Sequence, residues 1–146
     1  MPIIPGIFYN AILVSAASAW AIAQLLKVLV SVILLKKLNF QLIFSSGGFP
    51  SSHSATVSAL ALGIGKYYGW DSPIFAVAVV FGMIVLYDAA GVRRAAGLQA
   101  EVLNQLVERM YPNLNIEKKR LKELIGHTPF EVFAGVSLGI IVGLLL

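Results

Sequence analysis

Residues Ile7 to Leu35 read IFYNAILVSAASAWAIAQLLKVLVSVILL, an apolar run with few strongly polar side chains. A helix needs about 20 apolar residues to cross the hydrocarbon core of a bilayer, and this run is longer than that. The run therefore predicts a first membrane helix over 7–35, in an integral membrane protein. Its polar interruptions are Asn10, Gln24 and Lys27.

The composition of the whole chain agrees with a membrane protein. Of the 146 residues, 58% are hydrophobic and 12% are charged. Soluble domains average roughly 45–50% apolar and about 25% charged residues, so a soluble fold would have too little polar surface. The sequence contains no cysteine, which excludes disulfides and thiolate metal sites. The length is that of a single domain, 1–146.

Three further apolar segments predict membrane helices over 52–68, 73–90 and 129–146. Together with the first helix they predict an all-α bundle of about four transmembrane helices. Residues 97–125 differ, because charged side chains separate apolar residues that recur at helical spacing. This segment predicts an amphipathic helical hairpin at the cytoplasmic membrane surface.

Most of the eleven lysines and arginines fall in two places, after the first helix and between the third and fourth. With four spans these places share one side of the membrane, and the positive-inside rule makes that side cytoplasmic. We expect a bacterial cytoplasmic membrane protein whose polar cluster faces the cytoplasm.

Small residues recur every fourth position on three of the predicted helices. In lipid, such stripes allow helix backbones to approach closely. They predict tight packing within the chain or across a homodimer. The stripes are Ser15, Ala19 and Ala23; Ala55, Ala59 and Gly63; and Gly135, Gly139 and Gly143.

The unusual polar residues gather at the cytoplasmic ends of the predicted helices. The segment Gly47–Ser54 reads GGFPSSHS and opens the second helix. Helix N-termini bind anions through their free N–H groups and positive dipole end, and arginine forks match phosphate oxygens. Lys27 lies roughly 13 Å below Lys36 at the helical rise. Placing a cation at that depth in a membrane costs free energy, so such residues usually have a function. These features predict a phosphate site.

Four segments resemble a known family. Pro50-Ser51-Ser52-His53 resembles the central motif, usually Pro-Ser-Gly-His, of the type 2 phosphatidic acid phosphatases, a superfamily shared with vanadium haloperoxidases. The match is closer to the divergent branch of that superfamily, a group of small membrane proteins. The matching segments, which span nearly the whole chain, are Gln24–Lys27, Gly47–Ala55, Tyr87–Gly97 and Gly126–Val132.

The resemblance implies a lipid phosphatase with a role for each matching residue. His53 would protonate the leaving group, His127 would attack phosphorus, and Glu131 would orient His127. In the superfamily five residues separate the third-motif arginine from a histidine, but that spacing from Arg93 reaches Gln99. His127 can therefore be the third-motif histidine only if the hairpin is an insertion that splits the motif. The arginine that usually accompanies Lys27 is missing. The phosphate-holding residues would be Lys27, Ser51, Ser52, Arg93 and Arg94, with Asp88 in support.

Other interpretations of these residues remain open. Thr128-Pro129-Phe130-Glu131 also matches a capping box, in which Glu131 serves the helix start. The leading hypothesis is a membrane phosphatase acting on a lipid or isoprenoid phosphate, with no metal or other cofactor required and no nucleic-acid partner. One alternative is a phosphate-lipid-binding scaffold without turnover. Another is a transporter or channel subunit, to which broken helices and an intramembrane lysine are suited.

Overall fold

The computed structural model describes residues 9–36, 47–110 and 126–146, except for the side chains of Leu34, Leu35 and Arg93. Every regular element within these residues is helical, which confirms the all-α prediction. The elements in chain order are α1 (Ala11–Leu35), α2 (Ser52–Tyr68), α3 (Pro73–Tyr87), a π-helical segment (Asp88–Val92), α4 (Arg93–Met110) and α5 (Pro129–Leu145).

Four of the helices begin at a polar N-cap residue, which sets where each one starts. The cap side chain accepts a hydrogen bond from the backbone N–H three residues later, one of the donors that a helix start leaves unpaired. Because Asn10 caps α1, the helix starts at Ala11 rather than Ile7; residues 7 and 8 lie outside the described part of the chain. The caps are Asn10, Ser51, Ser72 and Thr128.

The third predicted helix is longer than the sequence suggested. The sequence predicted a membrane helix over 73–90 and an amphipathic segment from residue 97. In the structure the helix continues from Pro73 through the π segment to Met110. No proline interrupts this stretch after Pro73, so nothing in it forces the helix to end. The rest of the predicted hairpin, 111–125, lies outside the described residues.

Helix α2 lies at the centre and packs against α1, α3 and α5, and α1 also contacts α5. Close approach of α5 to α2 depends on glycine. A β-carbon at Gly135 would collide with the carbonyl oxygen of Ser51, and one at Gly139 with that of Ala55. Residues of all three small-residue stripes are thus buried inside one chain, and the homodimer stays a prediction.

Helices α2 and α5 run parallel and are hydrogen-bonded near both ends. At one end the Ser51 N–H donates to the Glu131 carbonyl oxygen at 3.0 Å. At the other end Lys66 Nζ donates to the carbonyl oxygens of Gly143 and Leu144, at 3.1 and 3.3 Å. Helix α1 runs antiparallel to α2, since its Lys27 contacts Ser52 near the start of α2. The end of α1 and the starts of α2 and α5 therefore share one end of the bundle, which we call the site end.

Large apolar side chains cover much of the surface. On α3, for example, Val77, Val80, Phe81 and Ile84 are all exposed. Such a surface suits lipid better than water. Among the described residues, two helical stretches are long and apolar enough to cross a membrane, Ala11–Ile33 and Pro73–Met110, and Pro129–Leu145 is a shorter apolar helix. The count of four spans stays a prediction.

Candidate functional site

Lys27 lies inside the bundle at the site end, with only 2% of its surface exposed. Its Nζ donates a hydrogen bond to Ser52 Oγ at 3.1 Å, and it interacts electrostatically with Glu131. The loop before α2 covers its aliphatic stem. Gly48 has φ +94°, and a β-carbon there would stand 3.7 Å from Lys27 Cδ. The ammonium group is thus held among α1, α2 and α5.

Ser51 and Ser52 are both buried but make different contacts. Ser51 is the N-cap of α2, and its Oγ accepts hydrogen bonds from the Ser54 N–H at 3.3 Å and from Ser54 Oγ at 2.9 Å. Ser52 occupies the first helical position and its Oγ accepts from Lys27. The hydroxyl of Ser51 therefore stabilises the helix start, while that of Ser52 faces the buried cation.

His127 and Glu131 form a hydrogen-bonded pair at the start of α5. His127 is 2% exposed, and its Nδ1 lies 3.2 Å from Glu131 Oε2. The same carboxylate oxygen accepts the Thr128 N–H at 2.9 Å, while Thr128 Oγ1 accepts the Glu131 N–H. This confirms the predicted capping box. The carboxylate favours the tautomer with the proton on Nδ1, which leaves the Nε2 lone pair for chemistry.

The two histidines of the chain face each other across the site end. Their ring centroids are 6.1 Å apart and the ring planes meet at 63°. His53 is half-buried in the first turn of α2, and His127 immediately precedes the capped start of α5. Two imidazoles at this separation can act on one small group between or beside them, one as nucleophile and the other as acid or base.

The π segment and Gly126 fix the backbone of His127. The His127 N–H donates to the Ala89 carbonyl oxygen at 3.0 Å. Gly126 lies against the backbone of Arg94, where a β-carbon would not fit. Arg94 and His127, which the predicted hairpin separates in sequence, are therefore neighbours in space. No residue pattern in the sequence indicated the contact between His127 and Ala89. Two other close approaches had a signal in the sequence, because each involves a glycine within a matching segment. Gly48 lies near the stem of Lys27, and Gly126 lies against the backbone of Arg94.

The remaining predicted residues belong to the π segment and to α4. Arg94 is exposed, and its backbone rather than its guanidinium makes the contact with Gly126. Asp88 is half-buried and begins the π segment. The side chain of Arg93 lies outside the described part of the chain. Contacts between neighbouring residues link the central group: Lys27, Ser51, Ser52, His53, His127 and Glu131.

Comparison with known proteins gives this arrangement a family. The sequence model of the Divergent PAP2 family matches residues 8–142. The chain belongs to the Divergent PAP2 family. It is also similar to the uncharacterized membrane protein YuiD of Bacillus subtilis strain 168, with 44% identity over 145 residues that cover 92% of each chain. No solved structure matches the chain.

Membership of the Divergent PAP2 family agrees with the motifs from which the resemblance was first drawn. It relates the chain to phosphatases, and the name of the YuiD relative supports a membrane location. The split of the third motif by the hairpin stays a prediction. The close approach of Gly126 to the backbone of Arg94 makes the two segments assigned to that motif neighbours in space.

Proposed function

We propose that this Divergent PAP2 protein is a membrane phosphatase that hydrolyses a lipid or isoprenoid phosphate monoester or diphosphate through a phosphohistidine intermediate. One observation carries the proposal. Glu131 holds His127 through Nδ1, and the ring centroids of His127 and His53 are 6.1 Å apart at the site end. A nucleophile with an orienting carboxylate, opposite a second titratable ring, is the arrangement that two-step phosphoryl transfer needs.

In the first step, Nε2 of His127 attacks phosphorus. An N–P bond forms while the bond between phosphorus and the leaving oxygen breaks. His53, protonated at the start, gives its proton to that oxygen. The leaving group, an alcohol or a phosphorylated alcohol, therefore departs with its oxygen protonated. Glu131 stabilises the positive charge that develops on the His127 ring by accepting the Nδ1–H hydrogen bond.

In the second step, water attacks the phosphohistidine. His53, now neutral, accepts a proton from the water as the new O–P bond forms and the N–P bond breaks. Inorganic phosphate leaves, His127 regains its lone pair on Nε2, and His53 is again protonated. The site thus returns to its starting state. The proton that His53 gave to the leaving group is replaced by the proton that it takes from water.

Lys27 and the start of α2 hold the phosphoryl oxygens in this proposal. Lys27 provides a buried positive charge, and the first turn of α2 provides backbone N–H groups and the positive end of the helix dipole. Arg94, placed beside Gly126, has a side chain long enough to reach toward an incoming phosphate. A charge in an interior shielded from water acts more strongly than the same charge at a surface.

The position of Lys27 favours a substrate that is itself in the membrane. Lys27 lies nine residues before the end cap Lys36 on α1, roughly 13 Å along the helix. A phosphate on a lipid or prenyl chain can be presented at that depth, since its hydrocarbon chain stays in the bilayer. We propose that the substrate enters from the cytoplasmic leaflet.

The test is phosphate release by purified protein in detergent. The substrates are phosphatidate, phosphatidylglycerophosphate, and prenyl mono- and diphosphates, with His53→Ala, His127→Ala and the distant Lys66→Met in parallel. We expect release by the wild type and by Lys66→Met, and its loss in both histidine variants. Chelator should leave release unchanged, because none of the proposed steps uses a metal.

A quenched reaction separates the roles of the histidines. A phosphoryl group on histidine is labile in acid and stable in base, so brief reaction with radiolabelled substrate should leave base-stable label on wild type and none on His127→Ala. Full activity of His127→Ala would overturn the assignment. Binding of phosphate lipids with no release from any substrate would instead support the scaffold function.

A further inference from the structure

Ser52 stands out among the site residues because it contacts a cation and not the helix backbone. Ser51 beside it uses its own hydroxyl to cap α2. The hydroxyl of Ser52 is instead 3.1 Å from Lys27 Nζ, and both side chains are 2% exposed.

A buried ammonium group needs acceptors for its N–H donors. Lys27 carries three donors and no acceptor, and an ammonium group withdrawn from water is costly unless hydrogen bonds compensate. Ser52 Oγ provides one acceptor, and the carboxylate of Glu131 contributes a favourable charge. Gly48 packs along the carbon stem, so the stem has little freedom to swing out of the site.

We propose that Ser52 is a positioning residue for Lys27: its hydroxyl holds the ammonium group at the anion site, and it affects phosphate binding through Lys27. This inference rests on the proposed function for its biological meaning, because it specifies how that anion site is assembled.

The test is a double-mutant cycle read by binding of inorganic phosphate, which does not require turnover. The variants are Ser52→Ala, Lys27→Met and the two combined, in purified protein by isothermal titration calorimetry. Methionine fills a similar volume without a charge, so Lys27→Met should fold. Ser58→Ala is the matched control, since Ser58 lies farther along α2, against Gly139.

We expect Ser52→Ala to weaken phosphate binding about tenfold, as loss of a charged hydrogen bond would, and Lys27→Met to weaken it more. The double variant should bind no more weakly than Lys27→Met, because Ser52 has nothing left to position. Ser52→Thr, which keeps the hydroxyl, should restore binding. Ser58→Ala should match the wild type. Independent, additive losses would overturn the proposal and make Ser52 a direct phosphate ligand.

Turnover then distinguishes positioning from nucleophilic attack by Ser52. If lipid phosphates are hydrolysed, Ser52→Ala should raise KM and lower kcat only slightly. Loss of turnover with unchanged phosphate binding, together with an acid-stable phosphoenzyme in the wild type, would make Ser52 the nucleophile and overturn the positioning role. Should the wild type release no phosphate at all, the proposed function fails, while the binding cycle still decides how Ser52 and Lys27 are coupled.

Discussion

Gly126 lies against the backbone of Arg94, with no space for a β-carbon between them. His127 follows Gly126 directly and donates its N–H to the Ala89 carbonyl oxygen in the π segment. The two contacts attach the start of α5 to the helix that carries Arg94. The position of His127, the proposed nucleophile, therefore depends on a close approach between segments that are remote in the sequence.

Gly126→Ala should displace His127. The added β-carbon would collide with the backbone of Arg94, which cannot move as freely as a side chain, and overpacking of this kind costs about 1–3 kcal/mol. We expect a lower denaturation midpoint in detergent and phosphate release reduced about tenfold or more. Thermal denaturation and the phosphate-release assay measure the two effects.

Gly91→Ala is the matched control for this substitution. Among the described residues, no heavy atom beyond its own helix lies within 4 Å of a β-carbon built at Gly91, although it belongs to the same π segment. It should retain stability and activity. If Gly126→Ala behaved like Gly91→Ala, the contact with Arg94 would not be what positions His127.

Glu131 serves both the helix start and His127, and two substitutions separate these roles. Glutamine can still accept from the Thr128 N–H, as capping boxes allow, but lacks the charge that stabilises a positive His127 ring. Glu131→Gln should keep the wild-type denaturation midpoint and lose activity about tenfold or more. Glu131→Ala should lose activity and also about 1 kcal/mol of stability. Equal activity of Glu131→Gln and wild type would leave Glu131 with capping alone.

The glycines of α5 permit the contact between α2 and α5, and substitutions there should be severe. A β-carbon at Gly135 or Gly139 would collide with a carbonyl oxygen of α2. Each alanine variant should lower the denaturation midpoint, by overpacking of about 1–3 kcal/mol. Gly82→Ala on α3 is the control, because its nearest atoms, in Val57, would stand at an ordinary 3.9 Å. If Gly82→Ala were the more damaging variant, the assigned helix contact would be incorrect.

Lys66 should contribute stability without affecting chemistry. Its ammonium group donates to the last carbonyl oxygens of α5, at the end of the bundle opposite the site. A cation at a helix C-terminus is worth about 0.3–1 kcal/mol. Lys66→Met should lower the denaturation midpoint slightly and leave KM and kcat unchanged. A changed KM would mean that the two ends of the bundle are coupled.

Much of the fold was open to prediction because its signals are local. Apolar runs indicate the helices, and Thr128 with Glu131 indicates a cap that the structure confirms. The continuation of α3 into α4 was missed, because a change from apolar to amphipathic composition resembles a helix end. The sequence also placed Ser51 and Ser52 together, since adjacent serines carry no sign of which one caps the helix.

Less of the candidate site than of the fold could be predicted from the sequence. Its residues were found through a family pattern, but their connections are tertiary. The Ala89 carbonyl oxygen is available to any N–H that reaches it, and no side chain marks it as the partner of His127. Likewise, the Lys27–Ser52 contact depends on how α1 crosses α2. Such contacts follow from the packing of whole helices, which residue patterns along one segment do not encode.

The orientation of the site end can be tested directly because the chain has no cysteine. Lys36→Cys places a thiol at the site end and Asp71→Cys places one in the turn between α2 and α3, and both positions are exposed. The positive-inside rule predicts that the site end is cytoplasmic. In intact spheroplasts a membrane-impermeant maleimide should therefore label Asp71→Cys and spare Lys36→Cys. Permeabilised spheroplasts should show labelling of both, which serves as the control for thiol reactivity. The reverse pattern would place the phosphate site outside the cell and require a substrate of the outer leaflet, while labelling of both in intact spheroplasts would contradict the predicted number of spans.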